Sequence, residues 1–401
     1  MLRKIFKAFS YRNFRILWIG ACTSSIGSWM QQLAQAWLVL EISKSPFMLG
    51  LDAFLGDIPI FLFSLVGGVI ADRIDRRYVL LGSQYVQMTC AAILTVLIAT
   101  HSVKVWQILC LSFVVGTAQS FGGPAYSALV PSLVEKEDLS NAIAMNSIQF
   151  NLARIIGPVI GGIILKSFGS AWCFGLNALS FVAVIISLYS LKINFNPPRT
   201  GESVLTSMKQ GFSFIRKQGA MESLIILAFL MTGLAIPTIT FLPVFAKDVF
   251  QRGPETLSLF LACTGLGSIS GALIVAAIGN NKNKGRVALS MLMLLGAAMA
   301  GFAQARSIIV SCALLYVCGA CLIFAFTMIA SLVQLITANE MRGRVMSVYN
   351  VAFRGGMPFG NLASGKLIPM FTAPMVIAAN GVLLFCLGFY FMVIKRRVAE
   401  L

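Results

Sequence analysis

The stretch GGVIADRIDRR, Gly67–Arg77, ends a long apolar run with a cluster of charged side chains. The run before it, LDAFLGDIPIFLFSLV, contains two carboxylates, Asp52 and Asp57. A charged side chain in hydrocarbon is unfavourable by about 2.5–3.5 kcal/mol, so a helix that keeps one at depth usually turns it toward a partner or a cavity. The pattern therefore predicts a membrane span that carries a polar site and ends at a charged membrane surface.

The composition of the whole chain is that of a polytopic membrane protein. Of its 401 residues, 58% are hydrophobic and only 11% are charged, and the mean hydropathy is +0.86. Soluble domains usually carry about 25% charged residues. The nine cysteines all lie in apolar runs, so no disulfide framework is expected. No cleavable signal peptide is expected either, because the first apolar run is long enough to span and lacks a small-residue cleavage site.

Apolar windows of the length needed to cross about 30 Å of hydrocarbon recur along the chain. The longest polar stretch, 193–220, divides six windows from six. We therefore predict an all-α fold of twelve transmembrane helices in two pseudo-symmetric bundles, 1–192 and 221–401, joined by a cytoplasmic linker, 193–220. Within the linker, residues 203–217 are predicted to form a helix on the membrane surface. The predicted spans are 14–40, 47–71, 78–100, 105–127, 142–166, 172–192, 221–245, 257–279, 288–304, 307–331, 346–370 and 374–394.

Lysine and arginine are unevenly distributed between the two sides of this topology. With the N-terminus inside, 22 of the 31 basic residues lie in inner segments and seven in outer segments. Basic residues concentrate on the cytoplasmic side of membrane proteins, so both termini are predicted to be cytoplasmic. The net charge of +17 is then a topology signal rather than a sign of nucleic-acid binding.

The two halves resemble each other in the fifth and eleventh spans. RIIGPVIGGIILK, 154–166, aligns with RGGMPFGNLASGK, 354–366, and the arginine, proline and lysine coincide at an offset of 200. A parallel duplication of this kind predicts that the substrate binds near the bilayer midplane, between the halves.

The opening stretch resembles a motif of the major facilitator superfamily of transporters. The superfamily's pattern between its second and third helices reads Gly, three residues, Asp-Arg, one residue, Gly and then two basic residues. Asp75 stands here where the pattern has glycine. The resemblance implies a conformational gate that braces the two halves on the cytoplasmic side. The matching residues are Gly68, Asp72, Arg73, Arg76 and Arg77.

The fifth span carries a second resemblance, to the latter part of a motif associated with antiporters. Its upstream glycines are replaced, with Ala153 and Arg154 just before the match. The matching residues are Gly157, Pro158, Gly161 and Gly162. Longer stretches in both halves, such as VPSLVEKEDLSNAIAMNSIQFNLARIIGP and NEMRGRVMSVYNVAFRG, are similar to the bacterial subgroup of enterobactin exporters and drug efflux proteins. This resemblance implies a monomeric transporter of the bacterial inner membrane that exports small amphipathic molecules.

Three ionisable residues, Asp57, Arg154 and Arg354, are predicted to lie deep in the bilayer. A carboxylate at this depth can exchange a proton, because burial disfavours its charged form and a nearby arginine favours it. Asp57 is therefore the candidate for proton coupling, and a static Asp–Arg pair that holds the bundle is the alternative. One acid and two arginines suit an anionic or zwitterionic ligand. The candidate substrate contacts are Arg154, Arg354, Gln31, Gln35, Asn151 and Gln119. For the two arginines, a structural role in which carbonyls or an ion pair satisfy them and lock helices together is the alternative.

We therefore expect a transporter that exports a small, siderophore-like molecule by proton antiport and alternating access. A multidrug or macrolide-type efflux pump, an importer and a lipid flippase on the same fold are alternatives. The sequence holds no Walker motif for ATP and no convergent catalytic cluster, and its only histidine, His101, lies in a predicted outer loop. CGAC, 318–321, lies in an apolar helix and is interpreted as small packing residues. No enzymatic activity, metal or cofactor is expected.

Overall fold

The computed structural model describes residues 6–191, 212–216, 218–278, 283–396 and 398–401, and most of them are helical. Helix is the form expected in a bilayer, because it satisfies the backbone polar groups within one segment. The predicted all-α membrane fold is confirmed, and the long helices of the described residues are consistent with the twelve predicted spans. Within these ranges the long helices are α1 Arg12–Ser43, α2 Pro46–Arg73, α3 Arg76–Ala99, α4 Val105–Leu129, α5 Leu139–Phe168, α6 Ser170–Ser190, α7 Gly219–Thr240, α8 Pro254–Ile278, α9 Lys284–Gln304, α10 Ile308–Ile336, α11 Arg342–Leu367 and α12 Ala373–Phe389.

Ten of these helices are long and apolar enough to cross a membrane by length and composition alone. The two that fall short in the described part of the chain are α1 and α11, because polar side chains lower their hydropathy. The α1 sequence includes QQLAQ, 31–35, and α11 contains Arg342, Arg344 and Arg354. Both helices thus carry candidate site residues in place of apolar ones.

The chain divides into two compact units. The N-terminal unit comprises Met1–Ser43 and Ile58–Gly201, and the C-terminal unit comprises Lys44–Asp57 and Glu202–Leu401. The C-terminal unit therefore includes the first half of α2. Most of the predicted linker, 193–220, lies outside the described residues; residues 212–216 are helical, and Ile215 is buried in the core of the C-terminal unit. The predicted domain limits at 192 and 221 stay a prediction.

The same pattern of helix packing occurs in both units. In the N-terminal unit α1 packs on α5 and α6, and α3 packs on α4 and α6. In the C-terminal unit α7 packs on α11 and α12, and α9 packs on α10 and α12. Each pair in the first unit is matched by the pair six helices further along the chain, as a duplication requires.

Small residues bring the helices of these pairs close together. At Gly157 of α5, an added Cβ would lie 2.5 Å from the Cβ of Trp29 on α1. At Gly360 of α11, an added Cβ would overlap the carbonyl oxygen of Gly233 on α7. Lipid provides no hydrophobic driving force between helices, so close packing of this kind is a main source of their association.

The basic cluster after α2 fastens the ends of three helices in the N-terminal unit. Asp75 caps α3, since its carboxylate accepts a hydrogen bond of 2.9 Å from the backbone N–H of Arg77. Arg76 donates to the carbonyl oxygen of Ala128 near the end of α4 at 2.7 Å. Arg77 donates to the carbonyl oxygen of Tyr189 near the end of α6 at 2.8 Å. Basic side chains at these ends satisfy free carbonyls and the negative end of each helix dipole.

The other three residues of the motif are Gly68, Asp72 and Arg73. An added Cβ at Gly68 would meet no described atom within 4 Å, so close packing does not require glycine there. The Arg73 side chain is exposed. The side chain of Asp72 lies outside what the structure describes. A gating role for this segment therefore stays a prediction.

Candidate functional site

Asp57 lies near the middle of α2, in the part of that helix that belongs to the C-terminal unit. An added Cβ at Gly50 would lie 2.6 Å from the carbonyl oxygen of Asn361 on α11. One turn further along α2, the rings of Phe54 and Phe359 meet with centroids 6.1 Å apart. Gly50, Phe54 and Asp57 share one helix face by their spacing of four and three residues. The face of α2 that packs on α11 therefore carries the carboxylate.

Two charged residues act on Asp57. Asp57 is half-buried, Asp52 is buried, and Arg354 in the middle of α11 is exposed. Arg354 attracts the Asp57 carboxylate and Asp52 repels it. Within the described part of the chain, Asp57 makes no hydrogen bond, and no ion pair within 4.0 Å joins it to Arg354. The carboxylate is thus held near an arginine without being paired to it.

Arg154 occupies the middle of α5 in the N-terminal unit. Its Nη2 donates a hydrogen bond of 3.2 Å to Oδ1 of Asn151, one turn earlier. The Nδ2 of Asn151 donates to the carbonyl oxygen of Ser147 at 2.8 Å. The Nε of Arg154 is buried and has no hydrogen-bond partner among the described residues. No described acidic side chain interacts with this guanidinium.

The candidate glutamines join helices within the N-terminal unit. Nδ2 of Asn177 on α6 donates to Oε1 of Gln31 at 2.6 Å, and Nε2 of Gln35 donates to Oγ of Ser112 on α4 at 2.9 Å. The exposed Gln119 of α4 donates a bond of 3.2 Å to a glutamine of α3. Such bonds between membrane helices stabilise by about 0.6 kcal/mol each. These side chains therefore support the packing, and their contact with substrate stays a prediction.

The helix-five motif forms the contact between α5 and α1. Its four residues, Gly157, Pro158, Gly161 and Gly162, are all buried. An added Cβ at Gly161 would lie 3.2 Å from Cα of an α1 methionine. Because these small residues let α1 approach, they set the position of Arg154, which lies one turn before them. Their direct part in antiport stays a prediction.

Sequence reasoning missed the aromatic neighbours of this part of α5. Trp29 of α1 and Phe150 of α5 form an edge-to-face pair with ring centroids 5.8 Å apart. Phe150 lies four residues before Arg154, and this spacing places two side chains on one helix face. That signal was present in the sequence. The pairing with Trp29 depends on the contact between α1 and α5, which no local pattern reveals.

Two repeated units of membrane helices, with ionisable side chains in the middle of helices, are typical of a membrane transporter. The chain belongs to the family described as "Transmembrane secretion effector", whose model matches residues 4–401. This confirms the resemblance found in the sequence. The protein is therefore a multi-pass membrane transporter of small molecules and not an enzyme.

Curated relatives match nearly the whole chain. Macrolide efflux protein A of Streptococcus pyogenes is 20% identical over 391 residues, which cover 94% of this chain and 96% of that protein. Enterobactin exporter EntS of Escherichia coli O1:K1 / APEC is 26% identical over 389 residues, which cover 94% of this chain and 90% of that protein. Both relatives are efflux transporters by name.

Solved transporter structures share the fold. The nucleoside transporter NupG matches with a TM-score of 0.74 at 15% identity, over 96% of this chain and 99% of that one. A bacterial homolog of the human lysosomal transporter Spinster, in an inward-facing and occupied conformation, matches with a TM-score of 0.75 at 13% identity, over 96% and 97%. At this identity the likeness shows the major facilitator fold and nothing about substrate.

Proposed function

We propose that the protein exports a small amphipathic, anionic or zwitterionic molecule of siderophore type in exchange for protons. The observation that carries the proposal is Asp57, a half-buried carboxylate in the middle of a membrane-spanning helix. It lies near Arg354 but is not ion-paired with it. We further propose that the protein works as a monomer in the bacterial inner membrane, with both termini in the cytoplasm.

An unpaired carboxylate is suited to proton coupling. A proton changes a conformational equilibrium only if the two states bind it with different affinity. The charged form of Asp57 is attracted by Arg354 and repelled by Asp52, so a movement of α2 against α11 alters the balance between its charged and neutral forms. Loading and releasing a proton at Asp57 then favours one state of the transport cycle at a time.

The ligand class follows from the charges and from the relatives. The mid-helix ionisable groups Asp57, Arg154 and Arg354 sum to a positive charge when all are ionised, which favours an anionic or zwitterionic molecule. The relative that is 26% identical is named for enterobactin export. Export, rather than import, is supported by the family description and by the names of both relatives.

The test uses the full chain in proteoliposomes with an imposed pH gradient and follows a catecholate siderophore, an anionic dye and a lipophilic cation. We expect the gradient to drive accumulation of the anionic compounds, and Asp57→Asn to remove that component. Exchange of the same compound across the membrane without a gradient should persist in Asp57→Asn. Asp248→Asn is the matched control, because this carboxylate is exposed and lies outside the long helices.

The two readouts separate coupling from structure. Full gradient-driven transport by Asp57→Asn would contradict a role in coupling. Loss of both exchange and gradient-driven transport, in a variant that still folds, would show that Asp57 is needed for the transport cycle itself.

A macrolide-type or multidrug pump is the second candidate. The specific observation in its favour is the match to macrolide efflux protein A over 94% of the chain. A clear preference for the lipophilic cation in the same assay would support this candidate and contradict the anionic ligand.

A further inference from the structure

Arg154 and Arg354 stand at matching places in the repeat but have different surroundings. Arg354 lies near a carboxylate, since it interacts electrostatically with Asp57 in the C-terminal unit. Arg154 meets only an amide, that of Asn151, and no acidic side chain among the described residues of its unit interacts with it. The duplication has therefore kept the arginine in both halves and a neutralising acid beside only one of them.

An arginine without a counter-charge is costly at membrane depth. Its guanidinium stays protonated under all ordinary conditions, so it cannot escape the cost by losing a proton. Of its five N–H donors, only one from Nη2 has a partner in the described structure, and Nε is buried with none. A buried donor left unsatisfied is destabilising, and more so when it is charged. A negatively charged ligand that accepts hydrogen bonds from the remaining Nη N–H groups would offset the uncompensated positive charge.

The surface beside Arg154 is polar along one helical turn and aromatic at its edge. The side-chain oxygen of Asn151 accepts a hydrogen bond from the guanidinium. The side-chain amide of Asn151 in turn donates to the backbone carbonyl oxygen of Ser147. Phe150, four residues before Arg154, is exposed and packs edge-to-face on Trp29. The planar guanidinium fork matches a carboxylate, and the ring pair offers an apolar contact for the rest of an amphipathic molecule.

We infer that Arg154 is the anion-binding residue for the transported molecule, with Asn151 orienting it and the Trp29–Phe150 pair contacting the aromatic or apolar part of the ligand. Arg354 instead stabilises the charged form of Asp57. The ligand class is an aromatic or amphipathic carboxylate. The inference rests on the proposed function, but it concerns ligand binding and not proton coupling.

The test is equilibrium binding to the full chain in nanodiscs with two probes that differ by one carboxylate. The probes are 2,3-dihydroxybenzoate and catechol. Hydrogen bonds to charged groups contribute about 1.5–3 kcal/mol. Arg154→Gln should therefore lower the affinity for 2,3-dihydroxybenzoate by about tenfold or more. The affinity for catechol should change little. Arg154→Lys keeps the charge without the planar fork. Its affinity for 2,3-dihydroxybenzoate should lie between those of the parent protein and Arg154→Gln.

Lys166→Gln is the matched control, since it removes a positive charge from the last turn of the same helix. It should leave the preference for the carboxylate unchanged. The inference would be overturned if the parent protein bound 2,3-dihydroxybenzoate no more tightly than catechol. It would also be overturned if Arg154→Gln kept the preference for the carboxylate, or lowered the affinity for both probes equally. Asp57→Asn should still prefer the carboxylate. If Asp57→Asn keeps the binding preference and also keeps full gradient-driven transport, then only the proposal that Asp57 couples protons to transport is overturned.

Discussion

At the scale of single residues, Asp138 fastens the start of the chain to the connector before α5. Its carboxylate forms an ion pair of 2.8 Å with Lys7 and accepts a hydrogen bond of 2.8 Å from the Tyr11 hydroxyl. Beside it, Oδ1 of Asn141 accepts a hydrogen bond of 2.9 Å from the backbone N–H of Ala8. The segment just before α1 is thus held by three contacts to one short stretch of chain.

We call these three contacts the clip, and its ion pair should weaken both in strong acid and at high pH. Hydrogen bonds from Lys7 and Tyr11 lower the pKa of Asp138, and the same bonds raise the pKa of Lys7 and raise the pKa of Tyr11 to about 12. The carboxylate therefore contributes stability above its ordinary pKa of about 3.9 and loses it as pH falls through the lowered value. Lys7 contributes below its ordinary pKa of about 10.4 and loses its contribution as pH rises through the raised value.

Asp138→Asn should release the segment at neutral pH. Amide hydrogen exchange of residues 6–11, compared between variant and parent at each pH, should be several-fold faster in Asp138→Asn at pH 7. The two proteins should converge in strong acid. Glu137→Gln is the control, because this neighbouring carboxylate forms no ion pair with Lys7. Equal protection in Asp138→Asn and the parent at pH 7 would show that the clip does not hold the segment.

At the scale of helices, close packing decides which glycines matter. An added Cβ at Gly360 of α11 would overlap the backbone of Gly233 on α7, whereas an added Cβ at Gly343 of the same helix would meet no described atom within 4 Å. Overpacking typically costs about 1–3 kcal/mol. Gly360→Ala should therefore lower the thermal stability of the protein in detergent, and Gly343→Ala should leave it unchanged or slightly higher. Equal stabilities would contradict the close contact of α7 and α11.

A second prediction concerns the contact of α8 with α10. Cys263 of α8 and Cys312 of α10 lie close enough for their thiols to interact. One turn further, an added Cβ at Gly267 would overlap the backbone of Tyr316, so the two helices run close together. Diamide, which accepts two electrons and two protons, should join the two thiols in a disulfide that mass spectrometry detects as a linked peptide pair.

Cys312→Ala tests the identity of that cross-link. The variant should yield no linked peptide containing Cys263. A linked peptide that joins Cys263 to another cysteine, or none in the parent protein after complete reaction, would contradict the predicted pairing.

The helices were largely predictable from the sequence, and their partners were not. Apolar length set the spans, and α2 was expected at 47–71 and is observed at Pro46–Arg73. The ends agree because charges and turn residues stop a membrane helix locally. The bond from Asn177 to Gln31 and the ring contact of Phe54 with Phe359 join residues far apart in sequence, and only the packed helices bring them together. For the same reason, the sequence did not reveal that a carboxylate lies near Arg354 and only an amide contacts Arg154.

At the scale of the whole molecule, the repeat explains both what is shared and what differs. Matching helix pairs pack in both units, so the duplicated sequence keeps its contacts. The polar groups have diverged on that common scaffold, with a carboxylate beside the arginine of α11 and only an amide beside the arginine of α5. A duplicated fold therefore gives two equivalent mid-membrane positions that can take different roles in one transport cycle.

The orientation of this scaffold in the membrane is the remaining prediction at this scale. Inner segments hold 22 of the 31 basic residues when the N-terminus is placed inside, and basic residues concentrate on the cytoplasmic side. Alkaline phosphatase fused after Ser102 should therefore be active, because it reaches the outer side, and the same enzyme fused after Glu137 should be inactive. A fluorescent protein fused after Leu401 should fold in the cytoplasm and fluoresce. The reverse pattern would invert the topology, and the proton gradient would then have to drive uptake rather than export through the same site.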